Sequence, residues 1–350
     1  MNHNKIIEDN SLYRKSTIIN FHSEILINDS YINYEIENTF IVFNSIDNIL
    51  YLIYSNKNFS IISFNLIDNK KVNEIKNVHD NYITCFSHFL DKQNKRDLII
   101  SISSKDNNIK LWNVGNWEIL HNFKKINHSG ELYASCFLND KDMNYIITSN
   151  SDLFSTEPLK IFDFKGNEIK KINDSNVNTF FIEIFYNKDS DKKFIVTGNF
   201  GYALSYDYNK NKVYNKYQDE YNIFNKKEYI HIIIYDKANL INLISSNKDG
   251  NIRIWDFDSG ELLKKYNIIN IGLRGICLLN DKLLSIGCDN YEIKILDLKN
   301  GKIVQSLKGH YRQVLNIKKI FHPKYKECLV SKGILNDYVI LWKEILNDSI

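Results

Sequence analysis

Histidine, serine and aspartate side chains recur close together in this sequence, as His79, Ser104 and Asp106 show. A serine activated by a histidine, which an aspartate orients, can attack a carbonyl group as a catalytic triad. A serine hydrolase of the α/β type would also place its serine in a G-x-S-x-G turn, and no such turn accompanies these serines. The three residue types therefore do not by themselves identify a nucleophile.

The other residues that could do chemistry show no spacing typical of a metal or cofactor site. The nine histidines are scattered, without an H-E-x-x-H pair or a Cys/His zinc pattern. Residues 198–201 read Gly-Asn-Phe-Gly, but no Gly-Lys-Ser/Thr follows, as a phosphate-binding loop requires. The five cysteines form no C-x-x-C pair and are expected to be buried, reduced thiols. We expect no metal, no cofactor and no catalytic residue.

Composition limits the classes of partner and the compartment. Hydrophobic residues make up 43% of the 350 residues, which is typical of a globular protein. The net charge is only +3 and no basic run occurs, which argues against direct nucleic-acid binding. No run of about 18 apolar residues is present, so we expect no membrane insertion. The polar N-terminus favours the cytoplasm, with the nucleus as the alternative.

One stretch, residues 246–256, recurs in weaker copies along the chain. Its Asp249-Gly250-Asn251 segment predicts a tight turn, and the alternation from Ile252 to Asp256 predicts a strand. The position of Trp255 is filled in the other copies by an aromatic residue or a leucine, at steps of 41 to 50 residues. These positions are Phe64, Trp112, Phe162, Tyr206, Trp255, Leu296 and Trp342.

The step length and the content of each copy predict the architecture. Repeats of roughly 40 to 45 residues with four strands each are typical of β-propeller blades. Seven copies predict an all-β, single seven-bladed β-propeller with four-stranded antiparallel blades. Because glycine and proline are scarce, we expect Asn and Asp to form many of the turns. Ser259-Gly260 and Asn300-Gly301 are expected to form hairpin turns before outermost strands.

The repeat resembles that of the WD-repeat family over about residues 38–345. The family's Gly-His pair and Trp-Asp pair are matched by Gly309-His310 and by Trp255-Asp256. Other copies are eroded: for example, Asn113 stands where an Asp would follow Trp112. The resemblance implies that a histidine, a hydroxyl residue, a turn aspartate and the tryptophan form a buried hydrogen-bond network within a blade. The residues that it assigns to this structural role are His79, Ser104, Asp106, Trp112, Asp249, Trp255, His310 and Trp342.

The ends of the repeat region predict how the ring closes. Only eight residues follow Trp342, too few for a turn and a full fourth strand. Members of the family commonly complete the last blade with an N-terminal strand, so we expect residues within 24–36 to pair beside 339–343. Closure removes unpaired strand edges. The predicted organisation is an N-terminal segment, 1–37, followed by the propeller, 38–350.

The resemblance implies that the function is binding. Loops that lead into the innermost strands gather around one mouth of the channel and display side chains there. Tyr and Arg are enriched in protein-binding hot spots, and these loops carry Tyr82, Tyr133, Tyr229, Arg274, Tyr311 and Arg312. We expect a non-catalytic scaffold or adaptor that docks proteins or peptides on this loop face. The alternatives are an enzyme that uses the central channel and a permanent subunit of an obligate complex.

Overall fold

The computed structural model describes residues 21–27, 40–56, 58–103, 108–123, 131–140, 143–151, 159–172, 179–219, 230–237, 240–268, 270–334 and 337–344. Every regular element in these ranges is a β-strand, and the strands form seven four-stranded antiparallel sheets. The sheets are arranged as the blades of a seven-bladed β-propeller, which confirms the predicted fold. None of the described residues belongs to a helix long and apolar enough to cross a membrane.

In blades one to six the strands follow chain order from the innermost to the outermost, and in blade seven the outermost strand comes from the N-terminus. Blade one comprises β2(Phe40–Asn44), β3(Leu50–Ser55), β4(Ile61–Asn65) and β5(Lys70–Ile75). Blade two comprises β6(Ile83–Asp91), β7(Arg96–Ser103), β8(Ile109–Asn113) and β9(Glu118–Phe123). Blade three comprises β10(Glu131–Asp140), β11(Met143–Ser151), β12(Leu159–Asp163) and β13(Glu168–Ile172). Blade four comprises β14(Thr179–Asn187), β15(Lys192–Asn199), β16(Ala203–Asp207) and β17(Lys212–Tyr217).

The remaining three blades continue the same order. Blade five comprises β18(His231–Lys237), β19(Leu240–Ser246), β20(Asn251–Asp256) and β21(Leu262–Asn267). Blade six comprises β22(Leu273–Leu278), β23(Leu283–Cys288), β24(Glu292–Asp297) and β25(Ile303–Lys308). Blade seven comprises β26(Val314–His322), β27(Lys326–Gly333), β28(Val339–Glu344) and, as its outermost strand, β1(Phe21–Ile27).

The N-terminal strand β1 closes the ring, as the sequence predicts. It pairs antiparallel with β28, and Ile25 lies opposite Ile340. Glu24 forms an ion pair with Lys343 across the two strands. The closing strand begins at Phe21, a few residues before the predicted interval, and residues 28–36 of that interval lie outside the described residues.

The repeated aromatic or leucine position is structurally equivalent in all seven blades. Each of these residues lies on the third strand, is buried, and faces a leucine or isoleucine of the second strand. The seven pairs are Leu52 with Phe64, Ile99 with Trp112, Ile146 with Phe162, Ile195 with Tyr206, Leu243 with Trp255, Leu284 with Leu296 and Leu329 with Trp342. The sequence repeat therefore reflects one packing position per blade.

The hydrophobic core lies in the seams between neighbouring blades. Each of the seven seams holds one cluster of buried apolar residues. In the seam between blades six and seven, Ile293 and Leu307 pack with Leu329 and Trp342. Burial of such apolar surface supplies most of the stabilisation of a globular protein, about 25 cal/mol per Å².

The turns use the residue types that the sequence predicts. Gly250, Gly260 and Gly301 all adopt positive φ angles, between 70° and 78°. Asparagines take the same left-handed conformation where glycine is missing, as at Asn48 and Asn211. These side chains tolerate the left-handed region better than most L residues.

Candidate interaction face

One end of the ring is built from two sets of connections, which together we call the loop face. The first set leads into the innermost strands, and the second joins the second and third strands of each blade. Backbone hydrogen bonds tie the two sets together between neighbouring blades. Val78 N donates to Phe59 O (3.2 Å), and Leu273 N donates to Asn247 O (3.2 Å). At these described connections, the loop face is anchored to the blades.

A buried hydrogen-bond network holds the loop-face connection of blade seven. His310 Nδ1 lies 2.9 Å from Asp337 Oδ2, and His310 Nε2 lies 2.6 Å from Ser331 Oγ. Trp342 Nε1 donates to the same hydroxyl oxygen at 2.7 Å. The mutually consistent arrangement has Nδ1–H donating to the carboxylate and the serine hydroxyl donating to Nε2. His310 and Trp342 therefore occupy the structural role that the family resemblance implies.

Blade two contains the corresponding network around another serine. His79 Nε2 lies 2.9 Å from Ser101 Oγ, and Trp112 Nε1 donates to that oxygen at 2.9 Å. Because Trp112 pairs with Ile99, the hydroxyl that its ring reaches is two residues further along β7, on the same side of the sheet. Among the described residues, Ser101 supplies the hydroxyl of this network. The predicted Ser104 and Asp106 lie outside the described residues.

Blade five keeps the tryptophan–serine bond but uses its turn aspartate differently. Trp255 Nε1 donates to Ser245 Oγ at 3.0 Å. Asp249 forms a close ion pair with the buried Arg253, which also bonds Asp219 at 3.0 Å. Burial acts to raise the pKa of Asp249, but its hydrogen bonds to Arg253 hold that pKa below the usual value. Asp249 therefore fixes the turn through Arg253.

The networks stand directly beside exposed aromatic residues. Tyr311 and Arg312 follow His310, and Tyr311 is 42% exposed. The ring of Tyr311 meets that of Tyr338 edge to face, with centroids 5.0 Å apart. The guanidinium carbon of Arg312 lies 5.9 Å from the Tyr311 centroid. Blade seven thus presents a patch of two tyrosines and an arginine, held from below by the His310 network.

Two further aromatic patches lie on the loop face. Tyr82 meets Phe59, from the turn of blade one, at 5.1 Å in an edge-to-face contact. Tyr133 contacts Phe180 at 5.3 Å, and Phe180 contacts Phe200 at 4.7 Å. All of these rings are partly exposed. Such pairs are stabilised beyond their buried area, by about 0.5–1.5 kcal/mol, so they hold apolar surface in a fixed shape.

The six predicted binding residues do not form one cluster. Tyr82, Tyr133 and the Tyr311–Arg312 pair belong to three separate patches, and Tyr229 lies outside the described residues. Arg274 is only 1% exposed, and its Nε lies 2.6 Å from Asp289 Oδ1. That side chain belongs to the interior of blade six and offers no surface to a partner. The aromatic partners Phe59, Phe180, Phe200 and Tyr338 were not in the predicted set.

The residue after Ser331 on β27 is a buried lysine, Lys332, whose burial is energetically unfavourable. Lys332 is 1% exposed, and its amine has no hydrogen-bond partner among the described residues. Burial lowers the pKa of Lys332 to about 7, against the opposing effect of the Asp337 carboxylate. At neutral pH this amine is only partly protonated, as expected for an ammonium group removed from water.

The central channel contains a cavity of about 420 Å³, which is lined by residues of all seven innermost strands. Its walls are mainly apolar, with Phe86, Phe89, Phe137 and Phe181 among them. In the described part of the chain, no three His, Cys, Asp or Glu side chains are grouped so that they could hold a metal ion. The fold and these features define a seven-bladed β-propeller with an aromatic loop face and a narrow channel.

No family model matches the chain. A stretch of 78 residues is 31% identical to the U3 small nucleolar RNA-associated protein 21 homolog of Schizosaccharomyces pombe. The match spans 22% of this chain and 8% of that protein, so the likeness concerns a small part of a much longer chain.

Proposed function

We propose that this propeller is a non-catalytic scaffold or adaptor of the WD-repeat type that docks proteins or peptides on its loop face. The observation that carries the proposal is the placement of Tyr311 and Arg312 beside the His310 network. Side chains that are already ordered lose less conformational entropy when a partner binds. Tyr and Arg on an ordered surface are the residue types that contribute most at protein interfaces.

The arrangement of the three patches indicates the shape of the partner. The Tyr82, Tyr133 and Tyr311 patches belong to blades two, three and seven, which lie within four consecutive blades of the ring. A partner that touched all three would extend across the mouth. A folded domain or an extended peptide is long enough to extend across the mouth. Stable interfaces bury about 800 Å² per partner, so a partner of this size is expected.

The similarity to the yeast protein supports a place in a larger assembly, without identifying the partner. That protein is named for its association with U3 small nucleolar RNA. A net charge of +3 gives little electrostatic attraction for RNA, so we propose that proteins are the direct partners. The proposed compartment is the cytoplasm. The nucleus is the alternative, which the nucleolar RNA in the relative's name favours.

Affinity purification with matched variants tests the proposal. The Tyr82→Ala, Tyr311→Ala, Arg312→Ala variant removes side chains from two patches. The control is Tyr186→Ala with Phe321→Ala, two exposed aromatic residues at the opposite ends of β14 and β26. We expect a defined protein that co-purifies with the wild type and the control but is lost with the loop-face variant. Equal recovery with all three would refute docking on the loop face.

Behaviour in isolation distinguishes the obligate-subunit alternative. A scaffold that binds partners reversibly remains a folded monomer when it is expressed alone, whereas an obligate subunit exposes a large apolar interface and aggregates. Size-exclusion chromatography with light scattering measures this directly. A soluble monomer with a cooperative thermal transition is the result that we expect.

A further inference from the structure

The cavity in the channel is lined by one lysine side chain, that of Lys318. Lys318 of β26 lines the cavity and is partly exposed to it. Its amine forms no hydrogen bond or ion pair with any described residue, in contrast to Lys319, which pairs with Glu327 at 2.6 Å. An ammonium group beside largely apolar walls gains stability from a counter-charge.

The carboxyl group in the same cavity does not supply that counter-charge fully. Glu183 of β14 lines the cavity from blade four, and one of its oxygens, Oε2, has no hydrogen-bond partner among the described residues. Burial raises the pKa of Glu183 to about 7, while the positive charge of Lys318 acts in the opposite direction. Near neutral pH the carboxyl is therefore partly protonated. No ion pair joins it to Lys318 in the described part of the chain.

The rest of the cavity is suited to a hydrocarbon group. Its size falls within the roughly 300 to 1,000 Å³ that is typical of small-molecule sites. The phenylalanines and isoleucines of the inner strands form most of its wall. The two thiols that line it, Cys136 and Cys277, have pKa values raised by burial. Both thiols are therefore protonated. They form a weakly polar part of the cavity wall and carry no negative charge.

We propose that the channel cavity binds a small organic carboxylate with an apolar body, with Lys318 as its counter-charge. The carboxylate accepts hydrogen bonds from the ammonium group, and charge-assisted bonds of this kind are about twice as strong as neutral ones. The apolar body packs against the phenylalanine side chains. This site is separate from the proposed docking role, because it needs neither the tyrosine patches nor a protein partner.

Calorimetric titration with matched ligands and variants tests the proposal. Phenylacetate and hexanoate are the probes, and phenylacetamide is the neutral control of the same shape. We expect wild type to bind phenylacetate at least roughly tenfold more tightly than phenylacetamide. Lys318→Met should reduce phenylacetate affinity by at least about tenfold, Lys318→Arg should largely retain it, and Lys319→Met should leave it unchanged.

The Glu183→Gln variant and a peptide titration complete the test. Because Gln removes the competing negative charge, Glu183→Gln should bind phenylacetate as tightly as wild type or more tightly. The proposal is overturned if neither acid binds, if phenylacetamide binds as well as phenylacetate, or if Lys318→Met binds the acid normally while its thermal transition is intact. Binding of a peptide with a free C-terminal carboxylate, without binding of the free acids, would also overturn it.

Discussion

The Nε2 atom of His310 lies 2.6 Å from the hydroxyl oxygen of Ser331, at the base of the loop that presents Tyr311 and Arg312. The same hydroxyl accepts a hydrogen bond from Trp342, so a single oxygen joins the loop, the second strand and the third strand of blade seven. The polar groups that resemble a catalytic triad thus hold a blade together and position the residues beside it. A serine committed to two buried partners is poorly suited to nucleophilic attack.

Replacement of Ser331 by alanine should destabilise blade seven. The change leaves the indole N–H of Trp342 and one ring nitrogen of His310 buried without their partner. Each such loss costs about 1–3 kcal/mol, so we expect the free energy of unfolding to fall by roughly 2 to 4 kcal/mol. Urea denaturation measures this value. Ser190→Ala, at an exposed turn, should change it by less than about 0.5 kcal/mol; equal effects of the two would refute the network's role.

The closing strand β1 should stabilise the ring mainly through Ile27, which lies beyond the register shift that follows Ile25. Ile27 is 8% exposed and packs in the seam between blades seven and one, whereas Ile25 is 54% exposed. Ile27→Ala should therefore lower the free energy of unfolding by about 2–5 kcal/mol. Ile25→Ala is the matched control and should cost less than about 1 kcal/mol. Similar stability of the two variants would mean that β1 is not seated as described.

Lys332 should make stability depend on pH at and above neutrality. Its pKa is lowered to about 7 in the folded protein, from a usual value of 10.5. Burial of the charged amine destabilises the folded protein fully below pH 7. This destabilisation decreases as pH rises towards 10.5, the pKa in the unfolded chain, and is at most about 5 kcal/mol. Lys332→Met should thus be more stable than wild type at about pH 6, and the difference should shrink by about pH 10.

Thermal denaturation across this range measures the Lys332 effect. Lys299→Met, which changes an exposed turn lysine, is the control and should follow wild type at each pH. A Lys332→Met variant whose stability difference from wild type is constant across the range would show that the buried amine does not titrate as described.

Glu183 should make stability fall as pH rises, which is the opposite of the Lys332 effect. Its folded pKa is raised to about 7 from a usual value of 4.5, so the folded state binds the proton more tightly than the unfolded state does. Stability from this group is complete below pH 4.5 and is lost as pH rises towards 7, by at most about 3 kcal/mol. Glu183→Gln should match wild type near pH 4.5 and exceed it at about pH 8. The exposed Glu118→Gln is the control, and a Glu183→Gln difference that did not grow with pH would contradict this assignment.

The fold could be predicted from the sequence because one packing position recurs in every blade. Trp112, Trp255 and Trp342 mark that position clearly, and the alternation around them shows its strand. Leu296 and Phe64 could be placed from the spacing of the repeat alone. The structure confirms both placements, because each residue faces its second strand in the same register. Closure by β1 could be inferred from the missing fourth strand of the last blade, although the residues that form it began earlier than expected.

The details of the site could be predicted less well, because they depend on contacts between blades. The hydroxyl that Trp112 reaches is that of Ser101, two residues along β7 from its partner Ile99, and choosing it requires the strand register. Arginine is a residue type that is enriched in interfaces, but Arg274 pairs with Asp289 in the interior of blade six. Lys318 and Glu183 are 135 positions apart in the sequence, and they line the same cavity only because the blades form a ring. Phe59 and Phe200 lie between the second and third strands of their blades, and an aromatic residue in such a connection is a signal that the sequence offers.

Hydrogen exchange of the protein with its captured partner tests the central claim most directly. Binding on the loop face should slow exchange in residues 309–313 and in the turn that holds Phe59. The turns at the opposite ends of β14 and β26 should exchange at the same rate with and without the partner. Protection confined to those opposite turns, with the loop face unchanged, would contradict the account.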